Sequence, residues 1–153
     1  MQILLLNGPN LDLLGEREPD LYGRERLVDI ERKLTEHAAA RGVELRCAQS
    51  NHEGVLIEHL HAARRDCDGI ILNPAGYGHT SVALRDALIS CERPVVEVHL
   101  TNLARREAFR QHTLTADVAI GQISGFGPFG YQLALDALVF HLSAAGERHV
   151  RRP

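Results

Sequence analysis

Short continuous apolar runs alternate along the chain with stretches in which apolar residues recur every three or four positions. Residues 3–6, Ile-Leu-Leu-Leu, predict a first buried strand. A segment rich in glycine, proline and charge follows, from Gly8 to Gly23. Across residues 24–41, Leu27, Ile30, Leu34 and Ala38 form a helical stripe that Gly42 closes. Residues 43–47 alternate apolar with polar, as a strand exposed on one face at a sheet edge would. Residues 52–65 are again helical, with Val55, Leu56, His59, Leu60 and Ala63 on one side. Residues 69–73 are a continuous apolar strand running into Pro74-Ala75-Gly76-Tyr77-Gly78. Residues 79–91 predict a helix with Thr80 or Ser81 as N-cap. Residues 94–98 predict a strand that ends at His99, and residues 101–116 support only a short helix around 105–110. Val118-Ala119-Ile120 opens a fifth strand, and a glycine-rich turn at 125–130 leads into a last helix over 131–145.

Five strands separated by helices imply a parallel sheet covered on both faces and joined by right-handed crossovers. Five βα units are too few for an eight-stranded barrel. The expected architecture is α/β: a flavodoxin-like three-layer sandwich around a five-stranded parallel sheet of order 2-1-3-4-5. One domain is expected over residues 1–146, with a charged, frayed tail at 147–153. The 153 residues carry 44% hydrophobic and 24% charged side chains, an ordinary globular composition. A net charge of −3 argues against non-specific nucleic-acid binding. The first apolar run is too short for a signal peptide or membrane span, so a cytoplasmic protein with no membrane partner is expected. Cys47, Cys67 and Cys91 have no metal-type spacing and suit free thiols in a reducing compartment. Lys33 is the one lysine among 17 basic residues, so any Schiff-base chemistry would depend on it alone.

In an open α/β sheet, ligands bind beyond the carboxyl ends of the strands, where strand order reverses. Here that brings together the loops after strands 1, 3 and 4. They carry Asn7-Gly8-Pro9-Asn10 with Arg17 and Tyr22, then Asn73 to Ser81, then His99-Leu100-Thr101-Asn102 with Arg105, Arg106 and Arg110. No G-x-x-x-x-G-K-[ST] motif is present, and the turn after strand 1 is not G-x-G-x-x-G. The G-x-G-x-x-G at 125–130 lies after the last strand and suits backbone turns. His52, His59 and His61 do not converge on a metal at their spacing, and His59 fits a packed inner-face residue. The remaining set of tyrosine, arginine, asparagine and histidine suits proton abstraction beside a carbonyl. An adjacent guanidinium favours the phenolate of a tyrosine, asparagine can hold an enolate, and histidine can protonate a departing hydroxyl. Each residue taken singly also fits a bland role: Tyr22 as a surface anchor, Asn10 and Asn73 as turn residues, Arg106 and Arg110 on a solvated face. Their shared rim is what favours chemistry.

These residues resemble a known family. The opening segment from Asn7 through Asn10, Arg17 and Tyr22 to Gly23 is similar to the signature of type II 3-dehydroquinate dehydratases. The resemblance continues through Gln49 to Gly54, Asn73 to Asp86, Glu97 to Asn102, Arg106 to Arg110, Gly125-Phe126-Gly127 and the final helix. It implies dehydration of 3-dehydroquinate to 3-dehydroshikimate through an enolate, with no imine, metal or cofactor, in the shikimate pathway or quinate catabolism. By that resemblance Tyr22 is the base for the C2 proton and Arg17 keeps it ionised. Asn10 holds the enolate oxygen, His99 is the acid at the C1 hydroxyl, and Glu97 orients His99. Asn73, His79, Leu100, Thr101 and Arg110 match substrate-binding positions, with Arg110 suited to the carboxylate. Asp86 matches a residue lent to a neighbouring subunit in family assemblies, which are dodecamers built of trimers.

Three positions depart from the family pattern. Asp12 stands where asparagine is common, Thr101 replaces a usual serine, and Gly78 replaces threonine or serine, which is expected to loosen that turn. The competing reading is a flavodoxin-like module that binds an anionic ligand without reaction. A flavin carrier is disfavoured by the scarcity of aromatics, at 5%.

Overall fold

The two faces of each apolar strand bury against different helices. In the computed structural model, which describes residues 1–16, 20 and 24–143, the strands are β1 (Gln2–Asn7), β2 (Glu44–Gln49), β3 (Gly69–Asn73), β4 (Val95–His99) and β5 (Gly121–Ser124). All pair in parallel, in the order β2-β1-β3-β4-β5. This is the flavodoxin-like order that the sequence predicts. The helices are α1 (Leu27–Ala39), α2 (Glu53–Asp66), α3 (Val82–Cys91) and α4 (Phe129–Leu142). On one face Ile3, Leu5, Ile71, Val96 and Val98 pack with Ile30 and Leu34 of α1 and Leu135 and Leu138 of α4. On the other, Leu4, Leu6, Ile70, Leu72 and Val95 pack with Leu56 and Leu60 of α2 and Leu84 and Leu88 of α3.

Successive residues of a strand point to opposite faces, and this parity runs on into the strand ends. Asn7 and Asn73 are register partners that continue the side of Leu5 and Ile71, towards α1 and α4. Glu97 and His99 continue the side of Val95, towards α2 and α3. The carboxyl end of the sheet therefore carries two separate polar clusters. Gly8 lets the loops after β1 and β3 approach closely: its N–H donates to the Asn73 carbonyl at 2.8 Å, and a Cβ there would lie 2.5 Å from the Pro74 oxygen.

Several element boundaries differ from the sequence expectation. The helix expected from residue 79 begins at Val82, because residues 75–79 form a 3-10 helix of their own. Ser81 is the N-cap and accepts from the Leu84 N–H at 2.8 Å. The single short helix around 105–110 is two 3-10 turns, Leu103–Arg105 and Ala108–Arg110, with extended Arg106 between them. Val118 ends a further 3-10 turn rather than opening a strand, and β5 proper starts at Gly121. Val118 and Ala119 are apolar because they pack on the α2/α3 face. On α2 the inward residues are Leu56, Leu60 and Ala63, while Val55 is exposed and His59 is half-buried at the flank. The last helix ends at Leu142, and the expected tail at 147–153 lies outside the described residues.

Lys33 points outward on α1, in an ion pair with Glu25 at 2.6 Å. The three thiols are free, and burial pushes Cys47 and Cys67 up to about 11, so both are protonated at neutral pH. Among the described residues no group of three or more histidines, cysteines or carboxylates could hold a metal ion. No described helix is long and apolar enough to cross a membrane.

Candidate active site

At the carboxyl end of β1, β3 and β4 lies a cleft of about 140 Å³. Its walls come from all three loops: Asn10 and Leu14 after β1, Asn73 and His79 after β3, and His99, Thr101, Arg106 and Arg110 from β4 onward.

Beneath the cleft sits a carboxylate with no solvent exposure. Glu97 and His99 are two residues apart on β4, so both project to the same face. His99 Nε2 is 2.6 Å from Glu97 Oε1, and His99 is only 5% exposed. The same oxygen accepts from Thr113 Oγ1 at 2.7 Å and from Gln122 Nε2 at 2.9 Å. Thr115 stands beside this carboxylate too, although Oε2 and the Thr115 hydroxyl meet no partner at hydrogen-bonding geometry. Burial pushes the Glu97 carboxyl up, but the His99 contact, with the Thr113 hydroxyl, outweighs it and holds it below its ordinary value. Glu97 is therefore a carboxylate at neutral pH, and His99 must donate its Nε2–H to it. Nδ1 is left as the ring nitrogen available to a ligand. The His79 ring lies 6.3 Å away, centroid to centroid. Its Nδ1 is 2.9 Å from the His112 carbonyl, which can only accept, so His79 carries that proton.

The second cluster runs through Tyr131 on α4. Its hydroxyl donates to Asn7 Oδ1 at 2.7 Å and accepts from Asn73 Nδ2 at 2.8 Å. Asn73 Oδ1 in turn accepts the N–H of Ala75, a residue in the left-handed region at φ 49°. Asn7 Nδ2 donates to Glu31 at 3.3 Å, and burial raises the Glu31 carboxyl despite that contact. Asn73 is thus fixed from behind, while one Nδ2 hydrogen has no part in these contacts.

On the β4 side, Arg106 donates to Thr101 Oγ1 at 3.0 Å and to Glu107 at 3.2 Å. Arg110 Nε lies 3.4 Å from the same Glu107 carboxylate. Asn10 takes a left-handed conformation, φ 66°, with its N–H donating to Asn51 Oδ1 at 2.8 Å. Asp12 accepts from the Asn51 amide at 3.1 Å, so the departing residue ties the first loop to the one after β2.

A cleft with a buried His–Glu pair is not unique to one chemistry, and comparison with known proteins decides the family. The model for dehydroquinase class II matches residues 1–139. The chain belongs to that family. A 3-dehydroquinate dehydratase of Gloeobacter violaceus is 55% identical over 148 residues, covering 97% of this chain and 92% of the relative. One from Ruegeria pomeroyi is 54% identical over 146 residues, covering 95% and 98%. The crystal structure of a type II dehydroquinase from Butyrivibrio crossotus superposes with a TM-score of 0.89 at 42% identity, covering 91% of this chain and 97% of that one.

The fold gathers Asn10, Asn73, His79, His99, Leu100, Thr101 and Arg110 around one cleft, with Glu97 behind His99. Asp86 does not line it; it is exposed on the outer side of α3. Arg17 and Tyr22 lie outside the described residues. Gly78 does not loosen its turn: it is buried, its carbonyl accepts from Leu114 N–H at 2.8 Å, and a Cβ would come 2.7 Å from Pro74 Cγ. Arg106, placed on the rim by the sequence but given no role there, lines the cleft; Thr113 and Gln122 on Glu97, and Tyr131 behind Asn73, were missed. None of these three left a signal in the sequence pattern.

Proposed function

We propose that this chain dehydrates 3-dehydroquinate to 3-dehydroshikimate through an enolate, as a hydro-lyase, with His99 as the acid. The observation that carries the proposal is the Glu97–His99 pair at 2.6 Å, with Glu97 fully buried and His99 in the wall of a cleft of asparagine, histidine and arginine. The Glu97 carboxylate accepts the His99 Nε2–H and so fixes the ring's orientation; the role of His99 as the acid for the leaving C1 hydroxyl follows from the family resemblance. With Nε2–H committed to Glu97, the proton for that hydroxyl is delivered from Nδ1. The C2 proton goes to Tyr22, whose phenolate Arg17 sustains; both roles follow from the family resemblance. Asn10 holds the enolate oxygen, and Asn73, His79, Leu100 and Thr101 bind the substrate's oxygens. Arg110 offers a fork of donors for the carboxylate. After water departs, Tyr22 carries one more proton and His99 one fewer, and a return transfer resets the pair. The working assembly is a dodecamer built of trimers in the cytoplasm, with Asp86 serving a neighbour's site.

The direct test mixes metal-free protein with 3-dehydroquinate and follows the conjugated enone product in the ultraviolet. An absorbance rise is expected, and folded protein that binds a dehydroquinate-like acid with zero turnover would instead mark an anion-binding module. Borohydride added with substrate should leave activity intact. Tyr22→Phe should keep fold and binding but lose at least about a hundredfold in turnover.

A further inference from the structure

The Glu97 carboxylate is loaded unevenly. Among the described residues Oε1 takes three donors, from His99, Thr113 and Gln122, at 2.6, 2.7 and 2.9 Å, whereas Oε2, with Thr115 beside the carboxylate, meets none at hydrogen-bonding geometry. Two of the three come from residues that do not line the cleft. We infer that Thr113 and Gln122 are positioning residues that clamp Glu97 Oε1 and, through it, the acid His99; this rests on the reading of His99 given above.

The backbone explains how the clamp arises. Glu97 and Gln122 are register partners on β4 and β5, so their side chains share a face as a cross-strand pair. Gln122 sits on an edge strand and is itself exposed, yet its amide reaches inward to the buried carboxylate. The same amide nitrogen is 3.2 Å from Thr113 Oγ1. A primary amide nitrogen can only donate, so Thr113 accepts there and its single hydroxyl proton is left for Glu97. Every proton direction in the cluster is thereby set: Gln122 to Thr113 and Glu97, Thr113 to Glu97, His99 to Glu97.

Such a cluster acts on geometry. A carboxylate held only by His99 can turn about its Cγ–Cδ bond, and the imidazole turns with it. Three donors converging on one oxygen stop that rotation. The ring is then fixed for delivery of a proton to the departing hydroxyl, a step sensitive to displacements of about 1 Å. Binding of the rest of the substrate, by residues across the cleft, does not depend on the clamp.

The test is steady-state kinetics of Thr113→Val, Thr113→Ser and Gln122→Leu, beside NMR of the protein with 15N-labelled histidine. Thr113→Val should lower kcat about tenfold, the loss expected for one hydrogen bond to a charged group. KM should stay within about twofold, the sign of an interaction that matters only in the transition state. Thr113→Ser should restore most of the rate, and Gln122→Leu, at an exposed position that tolerates change, should fall in the same direction. An unchanged kcat, a parallel rise in KM, or serine no better than valine would overturn the inference. The His99 Nε2 proton, in a 2.6 Å hydrogen bond, should resonate far downfield without any substrate. Gln122→Leu and Thr113→Val should shift or broaden it; an unaltered signal in both would also overturn the clamp. Because this signal needs no turnover, a wild-type protein inert towards 3-dehydroquinate would defeat the proposed function while the NMR still decides the clamp.

Discussion

Tyr131 uses its hydroxyl twice, once as donor to Asn7 and once as acceptor from Asn73, and both contacts are buried. Burial raises the phenol, with the Asn73 contact acting against it, so Tyr131 holds its proton throughout and works as a strut. Tyr131→Phe leaves two buried amide groups short of a partner, which should cost about 1–3 kcal/mol in urea unfolding. Glu97 makes a complementary prediction about acid. Its folded carboxyl titrates below the ordinary value of about 4.3, so its stabilising contribution is present at pH above that and disappears as pH falls through the folded value. Wild type should therefore lose urea stability on acidification by more than Glu97→Gln does; parallel losses would contradict this. At the residue scale the sequence exposed the groups at strand ends, because topology alone brings them to one rim. It did not expose Gln122, which becomes a partner of Glu97 only through the β4–β5 register. Tyr131 was equally silent, one of three aromatic residues on a largely apolar helix.

At the scale of elements, the helices with an apolar stripe were legible and the short turns between them were not. Residues 75–79 show why. Hydrogen bonds from Tyr77 to Pro74 and from Thr80 to Tyr77 close three-residue turns, which leave no periodic apolar stripe to read. Helix α3 then starts afresh at its Ser81 cap, and Ser81→Ala should cost about 1 kcal/mol. The packing around Gly78 gives a stronger expectation. A Cβ there meets the Pro74 ring at 2.7 Å and Thr115 Oγ1 at 3.3 Å. Gly78→Thr should therefore destabilise this chain by about 1–3 kcal/mol, as overpacking does. Thermal unfolding measures this; an unchanged or higher Tm would show that the turn relaxes freely.

At the scale of the molecule, strand order was the most legible feature, since alternating apolar runs and helices leave few right-handed arrangements open. What a single chain's pattern carries least is its surroundings in an assembly. Asp86 lies on the exposed side of α3 beside Val82 and Ile89, which are 61% and 51% exposed. If Asp86 serves a neighbour, subunits carrying Asp86→Ala and subunits carrying His99→Asn should each be weak alone. Refolded together, they should regain activity above either parent, because some sites then combine an intact His99 with a neighbour's intact Asp86. No gain on mixing would place Asp86 outside the site.

The lone lysine gives the molecule a handle. Lys33 is half-exposed on α1 and paired with Glu25, on an element whose described residues do not line the cleft. Amine-directed reagents thus meet a single side-chain target. A dye or a solid support attached there would orient every copy alike, with the cleft left open to solution.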